Sequence, residues 1–190
     1  GERVPCIMWA PGRIPAGRTC DEVASTMDLL PTLARLAGAR PPTDRVIDGR
    51  DITALMEGQP GATSPTGVFY FYVQTTLEAV RSGDWKLLLP RPARPPWMLQ
   101  DWSRHIDPRD VIAVEKPMLF FYPTDIGEQR DVASEHPEVV ARLLKLAEWA
   151  REDIGDYDRI GKNARFFDPQ PKRPDIRQRS RKTSHDQHNE

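Results

Sequence analysis

Residues 3–38, RVPCIMWAPGRIPAGRTCDEVASTMDLLPTLARLAG, constrain the fold more than any other stretch. Leu29, Leu33, Leu36 and Ala37 fall at i, i+4, i+7 and i+8, which puts them on one face of a helix. Pro31 sits in the first turn, where a missing N–H has no partner to lose. Thr26 or Asp28 can cap this helix, and Gly38 is a natural stop. Upstream, residues 4–9 are apolar, follow a charged pair and run into Ala10-Pro11-Gly12, so they read as a short buried strand. Two turn signals, Pro11-Gly12 and Pro15-Ala16-Gly17, separate strand from helix. A helix apolar on one face needs a second layer to cover it, so the expected class is α/β.

After Pro41-Pro42, the run Asp48-Gly49-Arg50-Asp51-Ile52 reads as a turn into a short helix over 53–57, and 58–67 is a loop by composition. From Val68 the pattern changes to strands. Residues 68–73 (VFYFYV) and 77–89 (LEAVRSGDWKLLL) carry a hairpin signal at Ser82-Gly83-Asp84, and 118–122 (MLFFY) supplies a further run. Three or four antiparallel strands are expected. Pro137 opens a long helix in which Val140, Leu143, Leu144, Ala147 and Ile154 face a core, Glu138, Arg142, Lys145, Glu148 and Arg151 face outward, and Gly155 ends it. Between Pro90 and Pro117 lies a Pro-rich excursion with Trp97 and Trp102, of the kind that is either functional or disordered. Beyond Phe167 only Ile176 is apolar, and burial there cannot offset the entropy of ordering, so a disordered end is expected.

Composition narrows the partners. The 190 residues include 27 basic and 28 acidic ones, so no global field attracts nucleic acid or an anionic membrane, and neither partner is expected. No apolar run approaches the ~20 residues that span a bilayer, and GERVPC lacks the layout of a signal peptide. With 29% charged residues and a mean hydropathy of -0.60, some of the chain is not core-forming. Two cysteines are too few for a disulfide framework, and sequence leaves their pairing open.

Each chemically suggestive residue has an ordinary alternative. Cys6 and Cys20 lie beside no Gly-rich elbow or His and are expected to be small, semi-buried thiols. Asp28 suits a helix start, where a carboxylate satisfies free N–H groups, and Asp48 and Asp51 around Gly49 suit a turn rather than a cation site. Lys86 is expected to be a solvated strand residue, the alternative being a positive group aimed at an anion. His105 lies in the excursion with Arg104, Trp102 and Arg94. An imidazole, guanidinium groups and aromatic surface on one loop make these four the candidate substrate-binding residues. His185, His188 and Glu190 have metal-like spacing, yet a metal needs converging ligands on an ordered frame. No P-loop, G-x-S-x-G, H-E-x-x-H or G-x-G-x-x-G occurs, so catalytic residues: none; metal ligands: none.

The order of segments carries more than any one of them. RVPCIMWAPGRIPAG, STMDLLPTLARLAGARPP, IDGRDITALMEG, AVRSGDWKLLL and FFYPTDIGEQRDVASEHPEVVARL together resemble the C-terminal portion of the type I sulfatases, over residues 3–155. The family pattern runs R-V-P, W-P-G-x-I-P-A-G, D-L-L-P-T-L-x-x-L-A-G, D-G-x-S-L, R-x-G-x-W-K and D-P-G-E-x-x-N-L-A before a final helix. GDYDRIGKNARFFDP is similar to an extension found in bacterial arylsulfatase-like members. Two departures are the extra Ala10 before Pro11-Gly12 and Ile126 where the family usually has Pro.

The resemblance implies an alkaline-phosphatase-like α/β fold. Residues 1–60 would be the last strand and helices of the catalytic domain, 68–155 a C-terminal subdomain with an antiparallel sheet packed on a helix, and 156–190 an extension and tail. It also implies Ca²⁺ and formylglycine in the full-length parent, a sulfated small molecule or carbohydrate as substrate, and a missing N-terminal catalytic domain as partner. Formylglycine arises from C/S-x-P/A-x-R, which neither Cys6-Ile-Met-Trp-Ala nor Cys20-Asp-Glu-Val-Ala matches. The catalytic carboxylates, Lys and His of the family are expected upstream of Arg3, so the expected function is a sulfatase fragment that completes the fold but lacks the hydrolytic centre. Alternatives are a non-catalytic binding or interaction domain, or a fragment of a related phosphodiesterase or phosphonate hydrolase. A periplasmic or extracellular location fits the parent.

Overall fold

The computed structural model describes residues 4–93 and 112–164. The chain divides between Gly67 and Val68 into two compact units.

In the first unit, a single 3-10 turn, Thr26–Asp28, leads directly into α1, Leu29–Leu36. Of the expected caps, Thr26 or Asp28, it is Asp28 that stands at the N-cap position of α1, without a forward side-chain bond, while Ser25 caps the 3-10 turn. Its hydroxyl accepts from Met27 N–H, while the Asp28 carboxylate reaches back to Ser25 N–H, closing a reciprocal capping box. Pro31 and Thr32 are the buried members of α1. The apolar stripe faces the other way: Leu29, Leu30 and Leu33 are all exposed, because a unit of this size supplies no second layer to cover them.

The expected strand at residues 4–9 is not formed. Its backbone makes no ladder with any described residue, and Ile7 and Trp9 are 93% and 84% exposed. An apolar run is extended and buried only where a neighbouring strand takes its hydrogen bonds. The two turns that follow do form, with Gly12 and Gly17 in the left-handed region, and Arg13 and Ile14 donating to Ala10 O. Cys6 and Cys20 are both free and exposed, not semi-buried, since the irregular segments carrying them lie under no packed layer. The segment then returns along the second short helix, α2, Thr53–Met56, and the loop after it. Arg13 Nε pairs with Glu57 at 3.1 Å, Arg18 Nη1 donates to Gly58 O at 2.8 Å, and Ser64 N–H donates to Glu22 at 2.7 Å.

The second unit is a four-stranded antiparallel sheet in sequence order: β1 Phe69–Val73, β2 Thr76–Ser82, β3 Trp85–Leu88 and β4 Met118–Phe121. Gly83, at φ +58°, makes the two-residue turn between β2 and β3. Between β1 and β2 the turn uses Gln74 at φ +56°, where sequence gives no glycine signal. The register shifts at Phe71/Tyr72, a bulge that increases the local twist.

One face of this sheet buries Val80, Leu87 and Leu119 against Leu143, Ala147 and Ala150 of α3, Pro137–Asp153. Sheet and helix are each apolar on one side, and stacking them is the simplest way to remove both faces from water. After α3, Gly155 at φ +118° begins a minimal hairpin, β5 Gly155–Asp156 with β6 Arg159–Ile160. It is locked to the helix end by Lys162 N–H to Glu152 O and Asn163 N–H to Asp153 O.

Candidate functional site

Arg94, Trp102, Arg104 and His105 lie outside the described residues, as do His185, His188 and the tail beyond Phe167. The stem that carries the excursion is described. Arg91 and Val114 exchange two backbone hydrogen bonds at 2.9 Å as an isolated bridge. The Arg91 side chain, buried to 7% exposure, donates to Ile112 O at 3.1 Å and stands 3.6 Å from the Glu78 carboxylate. A buried guanidinium tied to a carboxylate and a carbonyl fixes both legs of the stem. Sequence reading passed over this pair, since neither residue belongs to a charge pattern.

On the sheet face opposite α3, Lys86 is neither solvated nor aimed outward. It is 8% exposed, its Nζ lies 2.7 Å from Glu128 Oε1 and 4.6 Å from the centroid of Phe71. The Tyr122 hydroxyl donates to the same Glu128 oxygen at 2.7 Å, and the Arg81 guanidinium covers the Tyr122 ring at 4.4 Å. Glu128 itself adopts φ +54°, a conformation that costs a non-glycine residue about 1 kcal/mol or more. The solvated reading of Lys86 fails because its strand lies inside the sheet, and a cation there requires a paired anion.

In the first unit, Asp28 is 1% exposed and accepts from Ser25 N–H and Arg50 N–H, both at 2.7 Å. Thr32 Oγ1 donates to Asp28 O and accepts from Ile52 N–H. A Cβ at Gly49 would overlap the Met27 carbonyl, so the loop approaches the 3-10 turn before α1 as closely as it does only because that residue is glycine. Asp51 accepts from both Thr53 N–H and Thr53 Oγ1 and pairs with Arg35 at 3.0 Å. Its burial alone would raise the carboxyl pKa, but Thr53 and Arg35 together hold it below the usual carboxylate value. Asp28 and Asp51 are thus structural carboxylates, the first at a helix start and the second in a turn, as expected.

At the end of α3, the buried Asp156 carboxylate accepts from Leu77 N–H at 3.0 Å and Tyr157 N–H at 2.8 Å, and pairs with Arg151 at 2.8 Å. Arg151, expected to face outward, is thereby drawn inward. Tyr72 donates to Gly155 O at 2.8 Å, and burial, reinforced by Asp156, pushes its phenol up to about 12. An open groove of about 430 Å³ is lined by Lys116, Pro117, Ser134, Val140 and Asp131, whose carboxylate is taken by Leu119 N–H and Ala133 N–H.

Among the described residues, no three His, Cys, Asp or Glu side chains come together to hold a metal ion. Together with the sequence contexts of Cys6 and Cys20, this means that the described residues by themselves do not fit a Ca²⁺–formylglycine centre. Among the described residues, each buried charge has a structural partner. What fold and side chains define is an α/β protein with an antiparallel sheet closed by one helix.

No family model matches the chain. It is 38% identical to the steryl-sulfatase of Mus musculus over 153 residues, 74% of this chain and 24% of that protein. It is 44% identical to the N-acetylgalactosamine-6-sulfatase of Rattus norvegicus over 173 residues, 81% of this chain and 31% of that protein. Among solved structures, the PsFucS1 sulfatase from Pseudoalteromonas sp. has the same fold over 73% of this chain and 27% of its own, with a TM-score of 0.56 and 21% identity. The chain belongs to the sulfatase family, as a fragment with the alkaline-phosphatase-like fold of that family. It spans between about a quarter and a third of the length of these relatives.

Proposed function

We propose that this chain is the C-terminal part of a sulfatase that in complete form hydrolyses sulfate esters, and that its own task is to complete the fold. The observation that carries this reading is the asymmetry of the alignments: most of this chain matches, but only a minor share of each relative. The open leucine stripe of α1 and the unpaired segment 4–9 support it, because both have the form of surfaces made to be covered. In this reading, residues 1–60 close a catalytic domain, 68–155 form the C-terminal subdomain, and 156–190 are an extension.

The missing catalytic domain is then the principal partner, and Ca²⁺ and formylglycine belong to the whole protein. This chain alone is inactive. The substrate is a sulfated small molecule or carbohydrate, a class supported by the names of the steryl- and N-acetylgalactosamine-6-sulfatase relatives. Arg94, Trp102, Arg104 and His105 line its entrance on a stem fixed by Arg91 and Glu78.

The test is sulfate release from aryl sulfate and sulfated sugars by the full-length protein, produced under formylglycine-generating conditions, with the 190-residue chain assayed beside it. Release by the first and none by the second is expected. No release by the full-length protein, or release of phosphate from phosphate esters instead, overturns the reading.

A further inference from the structure

The outer face of α3 carries an arrangement that the core does not require. Arg142, Lys145 and Trp149 lie at i, i+3 and i+7, a single exposed ridge of the helix. Beneath the last of them, the Tyr70 ring from β1 stacks on the indole with centroids 6.1 Å apart and planes at 25°. Trp149 is nevertheless 55% exposed. Tyr70 therefore holds one face of the indole in place and leaves much of the rest to water.

The charges around it are sorted. Glu148 is held by Arg159 at 2.8 Å and Arg151 at 3.5 Å, Glu152 by Lys162 at 3.7 Å, and Asp153 by the Asn163 amide at 2.7 Å. Arg142 donates to a neutral hydroxyl, Ser82 Oγ, at 3.1 Å, and Lys145 makes no salt bridge with any described residue. The flanking carboxylates are thus partnered, while neither cation in line with the indole is paired with a carboxylate among the described residues.

We infer that Trp149, backed by Tyr70, with Lys145 and Arg142 along the same ridge, forms a surface site for a sulfated saccharide. The C–H face of a pyranose is apolar and weakly positive and packs on the negative face of an indole held in a fixed plane. Sulfate groups on that ring or the next meet the ammonium and guanidinium one and two helical turns away, where charge-assisted hydrogen bonds form. Neutral sugars gain only the stacking. Polyanions without sugar rings gain only the charge. This site goes beyond ester hydrolysis: it would retain a sulfated polymer whatever bond the whole protein cleaves.

Affinity electrophoresis of the 190-residue chain through gels containing chondroitin sulfate or chemically desulfated chondroitin tests it. Retardation by the sulfated polymer is expected, with little in the desulfated gel. Trp149→Ala and the double variant Arg142→Ser/Lys145→Ser should each weaken it about tenfold, with circular dichroism unchanged, because all three side chains are exposed. The inference is overturned by an unretarded wild type, by equal retardation in the desulfated gel, or by a Trp149→Ala chain as retarded as the parent. That last result would mean bulk charge alone. Loss of sulfate release from a small aryl sulfate by the full-length protein would count against hydrolysis and leave this site untouched.

Discussion

The Asp28 carboxylate accepts the backbone N–H of Arg50 at 2.7 Å across 22 residues of chain. Its other oxygen closes the capping box of the 3-10 turn that leads into α1, so one side chain ties the helix start to the turn before α2. Asp28→Ala would strand two N–H donors, each costing roughly 1–3 kcal/mol where it stays dry. The expected outcome is a lower urea midpoint and faster amide exchange at Ser25 and Arg50. Unchanged exchange at Arg50 would mean that water replaces the carboxylate without loss.

Gly49→Ala attacks the same junction from the other side. The added methyl meets Met27 O and Asp28 N, which are backbone atoms and cannot swing away. Overpacking of this kind costs about 1–3 kcal/mol. Because Gly49 and Asp28 share one contact, the double variant should lose less than the sum of the singles, read from three denaturation curves.

Lys86 and Glu128 form a largely buried pair of the second unit. Lys86→Met takes the cation away from the Glu128 carboxylate, whose Oε1 still accepts from the Tyr122 hydroxyl, and should destabilise by about 3 kcal/mol. Adding Glu128→Gln to that variant should recover much of the loss, since an amide is cheaper to bury than an unpaired charge. A double variant no more stable than Lys86→Met would refute the pairing energetics.

Tyr72 supplies the alkaline limit. Its phenol titrates near 12 in the fold against an ordinary 10.0, so the folded state keeps a proton that the unfolded chain has already lost. Stability is whole below the ordinary value and falls as pH rises from about 10 towards 12. Tyr70, raised by burial and by Asp153, adds in the same direction. Absorbance at phenolate wavelengths should show a late-ionising fraction that shrinks in Tyr72→Phe, and that variant should lose less stability over this pH window.

Much of the second unit was legible from sequence. Alternating apolar runs around Ser82-Gly83-Asp84 gave β2 and β3, MLFFY gave β4, and the spacing after Pro137 gave α3 within a residue or two at its end. The β1–β2 turn was not, because Gln74 takes a left-handed conformation with no glycine to announce it. Nor were the pairs Lys86–Glu128, Arg91–Glu78 and Arg151–Asp156, whose members are separated in sequence and meet only after the sheet forms. In the first unit, α1 and its stop were read correctly, but not the fate of its apolar face. Periodicity reports that a face wants cover and says nothing of where the cover comes from. The ordered motifs identified the family without supplying its reactive centre.

The leucines of α1 that stand open to water also govern how this chain behaves when produced by itself. Leu29, Leu30 and Leu33 present a greasy ridge of the sort that holdase chaperones grip and that dyes such as ANS light up. Yield should therefore fall as concentration climbs, and a charged replacement such as Leu33→Lys should improve solubility without unfolding the helix that carries it. Expression hosts and buffers, as much as assays, will feel the three-residue gap in this molecule's coat.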